Sequence, residues 1–127
     1  MYKMFTEDKV KWLGEQATPF YYYDTELLQH TLDAALAAAG QWGYHLHYAL
    51  KANANPRLLR QISETGLGAD CVSGGEVKRA LANGFPARRI VYAGVGKSDK
   101  EIRTALEADI FAFNSESMPE LEVINGL

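Results

Sequence analysis

The sequence is poor in residues that build disulfide or metal-bound scaffolds. Its 127 residues include a single cysteine, Cys71, and three scattered histidines. One cysteine cannot form a disulfide within the chain, which fits a reducing compartment. The histidines lie in no spacing typical of zinc ligands, so we predict no metal site.

Long hydrophobic runs are also missing. No apolar stretch approaches the roughly 20 residues that a membrane-spanning helix needs. The first residues, MYKMFTEDKVKW, lack the apolar stretch of a signal peptide. We therefore predict a cytoplasmic protein with no membrane partner.

The chain has no excess of positive charge. Its formal net charge is −3, so it lacks the excess of basic residues that is typical of a nucleic-acid-binding protein. With 47% hydrophobic and 23% charged residues, the composition is that of an ordinary globular protein. The length suits one domain with a modest core.

A repeated alternation of strand and helix runs through most of the sequence. Four short apolar segments predict strands, and a helical pattern follows each of them. The strand ends lie about 20 residues apart, which is the length of one strand–loop–helix unit. The segments are YHLHYAL, GADCV, RIVYAG and DIFAFN, and they end near Lys51, Val72, Ala93 and Asn114.

Capping signals mark the helix starts. Asn55-Pro56 begins the first of the four helices, and the other three begin with S-x-x-E, the pattern of a capping box. These boxes are Ser73–Glu76, Ser98–Glu101 and Ser117–Glu120. Upstream, TEDKVKWLGEQ predicts a short helix, and TPFYYYD predicts a strand at residues 18–24. Asp24 then caps a helix that ends at Gly40.

Regular alternation of this kind predicts a parallel sheet with helices outside it. The even spacing favours a (β/α) barrel, which needs about 250 residues when complete. Four units leave two open sheet edges, which are costly to expose. The sequence therefore predicts a partial (β/α)8 TIM barrel of about four βα units, preceded by a strand and a helix. We interpret the chain as a fragment or as a half that pairs with other copies.

Lys51 ends the first of the four strands. Side chains alternate across a strand, so Lys51 shares a face with Ala49, and Ala49 leaves space beside it. Barrel enzymes build their active sites at the carboxyl ends of the strands, and a deprotonated lysine there can attack a carbonyl group. A rim lysine that keeps its ammonium in water is the alternative. The same face carries His45 and His47, and the bulkier face carries Tyr44, Leu46, Tyr48 and Leu50.

Four stretches of the sequence resemble one enzyme family. They are TPFYYYD, YALKANANP, GLGADCVSGGEVKRALANGFPARRIVYAGVGKSDKEI and FAFNSESMPELEVI. Together they are similar to the N-terminal part of the diaminopimelate decarboxylases, which belong to the alanine-racemase-like, fold type III group of pyridoxal-phosphate enzymes. YALKAN with SGGE and KSD favours this branch over ornithine or carboxynorspermidine decarboxylases.

The resemblance implies a role for several residues. Lys51 would bind pyridoxal 5'-phosphate covalently, and the acidic Asp70 and Glu76 would lie near it as catalytic residues. Ala49, Asp70 and His47 would contribute to the cofactor site. Residues 1–127 would form the N-terminal part of the pyridoxal-phosphate-binding barrel, and residues 18–24 would associate with a C-terminal β domain.

The resemblance also implies an activity: decarboxylation of meso-diaminopimelate to L-lysine by a full-length homodimer. The family's glycine-rich phosphate loop and the motif supplied by the partner subunit are not found in this sequence, so we predict that the 127 residues alone are inactive. Decarboxylation of ornithine, arginine or carboxynorspermidine is an alternative, as is a non-catalytic relative with the same fold.

Each candidate residue also has a purely structural interpretation. Glu76 can be the far end of a capping box, and Asp70 can be a strand-end carboxylate that binds loop amides. His47 can be a core histidine with satisfied hydrogen bonds. Cys71 is interpreted as a small buried hydrophobe, because no neighbour would lower its pKa.

Overall fold

The computed structural model describes residues 5–127. Residues 1–4, which the predicted domain 1–127 includes, lie outside the described part. Four parallel strands form one sheet in the order β1-β2-β3-β4, and a helix follows each strand. The elements are α1 (Glu7–Gly14), α2 (Thr25–Gly40), β1 (His47–Ala49), α3 (Pro56–Glu64), β2 (Gly68–Cys71), α4 (Gly74–Ala82), β3 (Ile90–Tyr92), α5 (Asp99–Glu107), β4 (Ala112–Phe113) and α6 (Met118–Gly126), with 3₁₀ turns at Leu50–Ala52 and Ala87–Arg89.

The order of the elements confirms the predicted alternation of strand and helix. Because all four strands are parallel, each chain segment that connects them must cross back over the sheet, and the helix in each crossover covers the outer face. The sheet order follows the chain order without a reversal, which is the arrangement expected for consecutive strands of a barrel.

Within residues 5–127, the segment 18–24, predicted as a strand, forms no strand. A strand is defined by hydrogen bonds to a neighbour, and these residues pair with none of the described strands. The rings of Tyr21 and Tyr23 instead stack on each other in the exposed segment, with centroids 6.3 Å apart. The segment still ends as predicted, because the Asp24 carboxylate accepts a hydrogen bond from the Leu27 amide and caps α2.

The outer face of the sheet carries the core. In the register, Tyr48 pairs with Ala69, which pairs with Ile90, and Cys71 pairs with Tyr92. All but Tyr48 are at most 1% exposed. The apolar sides of the helices pack over them through Leu59, Ile62, Val77, Ala80 and Ala105. Burial of each larger aliphatic side chain contributes about 1.5–3 kcal/mol relative to its exposed state.

The three predicted capping boxes differ in detail. At α5 the box is present, with the amide and the hydroxyl of Ser98 both donating to Glu101. At α4 the serine caps as predicted, because Ser73 Oγ accepts from the Glu76 amide at 3.2 Å. The Glu76 carboxylate, however, accepts from the amide of Val72, one residue before the cap. The start of α6 has the same shifted arrangement, formed by Ser117, Glu120 and Glu116.

Within the described residues, no helix is both long enough and apolar enough to cross a bilayer.

Candidate active site

The inner face of the sheet carries a row of small and polar side chains. Ala49 pairs with Asp70, Asp70 with Val91, and Val91 with Ala112, so one residue of each strand lies at the same level. All four are half-buried. Two of the four are alanines, which leaves space around the only carboxylate in the row. The carboxyl ends of the strands begin just above this row, where parallel-sheet enzymes bind their ligands.

Lys51 lies at this carboxyl edge, but in a turn rather than in the strand. The prediction that β1 reaches Lys51 was wrong by two residues, because β1 ends at Ala49 and Leu50–Ala52 form a 3₁₀ turn. Leu50, which is fully buried, anchors the turn in the core and leaves Lys51 exposed. The Lys51 ammonium makes no hydrogen bond or ion pair with any of residues 5–127, so it is available to a ligand.

The chain after Lys51 is held by hydrogen bonds. The Tyr48 hydroxyl donates to the Asn53 carbonyl at 3.0 Å, and burial raises the pKa of that phenol. The Asn53 side chain accepts from the Asn55 amide, and Asn55 in turn caps α3. Lys51 therefore projects from a turn whose two ends are fixed. Because this main chain is already ordered, it loses less conformational entropy when a ligand binds.

Asp70 is the carboxylate of the inner row. It lies opposite Ala49 in the neighbouring strand, and Ala49 comes two residues before Lys51 in the chain. Within residues 5–127 its carboxylate accepts no hydrogen bond from a loop amide, so the purely structural interpretation of Asp70 has no contact to support it. The catalytic role of Asp70 stays a prediction.

Glu76 has a structural role in the turn between β2 and α4. Its carboxylate accepts from the Val72 amide at 2.7 Å, while its own amide donates to Ser73. These two bonds fix the loop that follows Asp70 and Cys71. No contact joins Glu76 to Lys51, so its predicted catalytic role stays a prediction.

His47 belongs to the next level below Ala49. Its half-buried imidazole lies directly over Gly68, because a Cβ built on Gly68 would stand 2.2 Å from Cδ2 of His47. Gly68 is therefore the residue that makes room for the ring. A cofactor contact for His47 stays a prediction, and His45 is exposed at the opposite, amino end of β1.

Cys71 is confirmed as a buried apolar side chain. It is fully buried on the outer face, and burial, followed by the nearby charges of Glu76 and Asp70, raises the pKa of its thiol to about 12. Because the thiolate is the nucleophilic form, Cys71 is not suited to attack a substrate. Among residues 5–127 no group of three or more metal-binding side chains comes together.

Two tertiary contacts at the carboxyl edge were missed by the sequence analysis. The Glu101 carboxylate, on α5, accepts from the Gly74 amide at 2.9 Å. The pKa of Glu101 is lowered mainly by its hydrogen bond with Ser98 and next by this bond with Gly74. The Lys97 ammonium forms an ion pair with Glu120 at 3.1 Å. No local sequence pattern predicts such contacts, because the two partners of each contact are more than 20 residues apart in the chain.

Comparison with known proteins identifies relatives over most of the chain. A family model described as "Pyridoxal-dependent decarboxylase, pyridoxal binding domain" matches residues 27–127. A diaminopimelate decarboxylase from Bacteroides thetaiotaomicron is 60% identical over 111 residues, which is 87% of this chain and 29% of the relative.

Solved structures of similar proteins agree with the fold. The crystal structure of diaminopimelate decarboxylase (I148L mutant) from Helicobacter pylori complexed with L-lysine has a TM-score of 0.83 and 40% identity, covering 92% of this chain and 30% of that one. The diaminopimelate decarboxylase from M. jannaschii has a TM-score of 0.87 and 34% identity, covering 92% and 28%. The chain thus spans less than a third of the length of these relatives.

Proposed function

The chain belongs to the pyridoxal-dependent decarboxylase family, and we propose that it is the lysine-bearing N-terminal part of a diaminopimelate decarboxylase, which converts meso-diaminopimelate to L-lysine. The observation that carries the proposal is the exposed amine of Lys51 in the turn at the carboxyl edge of a parallel sheet, two residues after Ala49, which pairs with Asp70 in the adjacent strand.

The residues at this edge fit pyridoxal 5'-phosphate. The cofactor carries an aldehyde, and Lys51 offers an amine with no competing partner among residues 5–127. Ala49, two residues before Lys51, leaves space on the inner face next to the amine, and Ala112 leaves space at the same level on the fourth strand. When bound, pyridoxal phosphate supplies an electron sink for the negative charge that remains on the α-carbon after carbon dioxide leaves.

Each candidate residue then has a chemical role. Lys51 holds the cofactor and carries a positive charge whenever its amine is free and protonated. Asp70 contributes a carboxylate on the inner face, from the strand next to β1. Glu76 acts less directly, because its bond to the Val72 amide holds the loop that follows Asp70 in place.

The substrate proposed for the whole protein rests on its relatives. The Bacteroides relative is a diaminopimelate decarboxylase and the Helicobacter pylori relative forms a complex with L-lysine, and both support meso-diaminopimelate as substrate and L-lysine as product. We propose a cytoplasmic homodimer for the full-length protein, in which residues 18–24 pair with a C-terminal β domain. Light scattering of the purified full-length protein tests the dimer.

A lysine-specific labelling experiment tests the cofactor assignment. The full-length protein is loaded with pyridoxal phosphate, reduced with borohydride and digested, and the labelled peptide is identified by mass. The label is expected on Lys51. Lys51→Ala should lose both the visible absorbance of the bound cofactor and the release of carbon dioxide, and Lys78→Ala, an exposed lysine on α4, is the matched control.

Two results would contradict the proposal. If Lys51→Ala kept the visible band and the activity, the lysine would not hold the cofactor. If the loaded wild-type protein decarboxylated ornithine or arginine with a higher kcat/KM than meso-diaminopimelate, the substrate assignment would be wrong.

A further inference from the structure

Asn114 lies at the same edge of the sheet as Lys51. The ladder of hydrogen bonds continues past the strand ends, with the Ala93 amide donating to Cys71 and the Asn114 amide donating to Tyr92 at 3.0 Å. Asn114 is two residues beyond Ala112, so its side chain falls on the inner face. Asn114 is exposed, and its side-chain amide makes no hydrogen bond with any of residues 5–127.

The main chain of Asn114 is fixed by a buried lysine. The Lys97 ammonium donates to the carbonyls of Gly94 and Asn114, at 2.7 and 2.9 Å, and to the Glu120 carboxylate at 3.1 Å. These contacts match its three N–H donors, and the ammonium stands 5.5 Å from the centre of the Tyr92 ring. The Lys97 side chain is only 1% exposed.

Glu120 is held in turn by the loop that it closes. One oxygen of its carboxylate pairs with Lys97, and the other accepts from the Glu116 amide at 2.7 Å. We call Lys97 and Glu120 the loop clamp. The clamp joins the ends of β3 and β4 and the start of α6. It binds only the main chain of Asn114, and the side-chain amide of Asn114 makes no hydrogen bond with residues 5–127.

Lys51 itself is too far away to be the partner of Asn114. The two residues follow the first and fourth strands, which are roughly 14 Å apart across three strand spacings of a flat sheet. The exposed Asn114 amide can hydrogen-bond water, and a small molecule bound on the inner face between the two residues would replace that water. Amides donate and accept hydrogen bonds, which suits the polar groups of both pyridoxal phosphate and an amino acid.

We infer that Asn114 is a further ligand-contacting residue of the site, and that the loop clamp positions it. This inference rests on the proposed function, because it requires a small molecule bound on the inner face. Asn114 hydrogen bonds a polar group of that molecule. Lys97 and Glu120 are positioning residues, since they touch Asn114 only through its main chain.

The clamp and the amide can be separated by substitution. Lys97 binds the main-chain carbonyl of Asn114, so Asn114→Ala removes the side-chain amide and leaves the clamp intact. Lys97→Met removes the clamp and leaves the amide. Lys100→Met is the matched control, because Lys100 is an exposed lysine three residues further along. Glu120→Gln keeps an oxygen that can accept a hydrogen bond, and it serves as a milder clamp variant if Lys97→Met does not fold.

The measurements are two dissociation constants of the full-length protein. Pyridoxal phosphate is titrated into the apoprotein, and L-lysine is titrated into the loaded protein, with the visible circular dichroism of the cofactor as the signal. Asn114→Ala should weaken one of the two constants about tenfold, the loss expected for one hydrogen bond. A change in the first constant assigns the contact to the cofactor, and a change in the second assigns it to the amino acid.

A double-mutant cycle completes the test. Lys97→Met should weaken the same constant, and the double variant should be no weaker than the weaker single variant, because both changes remove one contact. If Asn114→Ala changes neither constant, or if Lys97→Met lowers only the melting temperature, the inference is wrong while the proposed function stands. If the wild-type protein binds no pyridoxal phosphate, both are wrong.

Discussion

Gly68 is the position where a single added methyl group tests the inner face most directly. A Cβ at Gly68 would stand 2.2 Å from Cδ2 and 2.4 Å from Nε2 of His47, and 2.5 Å from the carbonyl oxygen of Arg89. Optimal carbon contacts lie at ~3.5–4.0 Å, so Gly68→Ala forces both neighbours to move. The imidazole can rotate away, but the Arg89 carbonyl belongs to the main chain directly before β3.

The expected cost follows from these two obstacles. Overpacking of a well-packed site costs about 1–3 kcal/mol, and a main-chain obstacle places Gly68→Ala in the upper part of that range. Replacing glycine also lowers the conformational entropy of the unfolded chain, which offsets about 0.4–1 kcal/mol of this loss of stability. We expect Gly68→Ala to lower the free energy of unfolding by about 2 kcal/mol, which shifts the urea midpoint by roughly 1 M for an m-value near 2 kcal/mol/M.

Urea denaturation of the full-length protein measures this change, with an unchanged m-value as a requirement. Gly75→Ala is the control, because the nearest atom to its new methyl group is Ser73 Oγ at 3.7 Å, and it should be neutral or slightly stabilising. His47→Ala should rescue Gly68→Ala only in part, since the Arg89 carbonyl remains. A Gly68→Ala protein as stable as the wild type would refute the predicted clash, and a complete rescue would refute the main-chain part of it.

Two further predictions concern protonation. Hydrogen bonds from Ser98 and Gly74 lower the pKa of Glu101 from its ordinary 4.5, so their stabilisation is complete above that value and is lost as the pH falls through the lowered pKa. Glu101→Gln should flatten the fall in melting temperature between neutral pH and pH ~3, and an unchanged profile would contradict it. Burial raises the pKa of Cys71 from 9.0 to about 12, so the stability that comes from the neutral thiol is present below pH 9.0 and declines as the pH rises towards 12. Iodoacetamide should therefore label Cys71 at neutral pH only after unfolding, and rapid labelling of the native protein would show that the thiol is accessible.

Local signals were enough to predict the order of the elements. Asp24 and Asn55 cap the helices that their sequence positions predicted. The strand ends predicted about 20 residues apart agree with the register, in which Ala49, Asp70, Val91 and Ala112 share one level. Such features depend on residues that are neighbours in the chain or repeat at a fixed interval, so they are visible without the fold.

Pairing between distant residues could not be predicted in this way. The segment at residues 18–24 has the composition of a strand but no partner among the described strands, and strand formation depends on the partner as much as on composition. The Glu76 carboxylate accepts from the amide of Val72, whereas the capping box predicts the amide of Ser73. Sequence spacing does not distinguish between these two neighbouring amides.

The sequence by itself determined the repeated strand–helix pattern, the helix caps and the place of Lys51 just after the first strand, because each is encoded by residues close together in the chain. Only the tertiary structure decided which side chains meet at the carboxyl edge: the placing of Lys97 beside Asn114 and Glu120, and of Glu101 beside Gly74. The physical reason is that these contacts form between successive βα units, where the packing of helices against the sheet sets the distances.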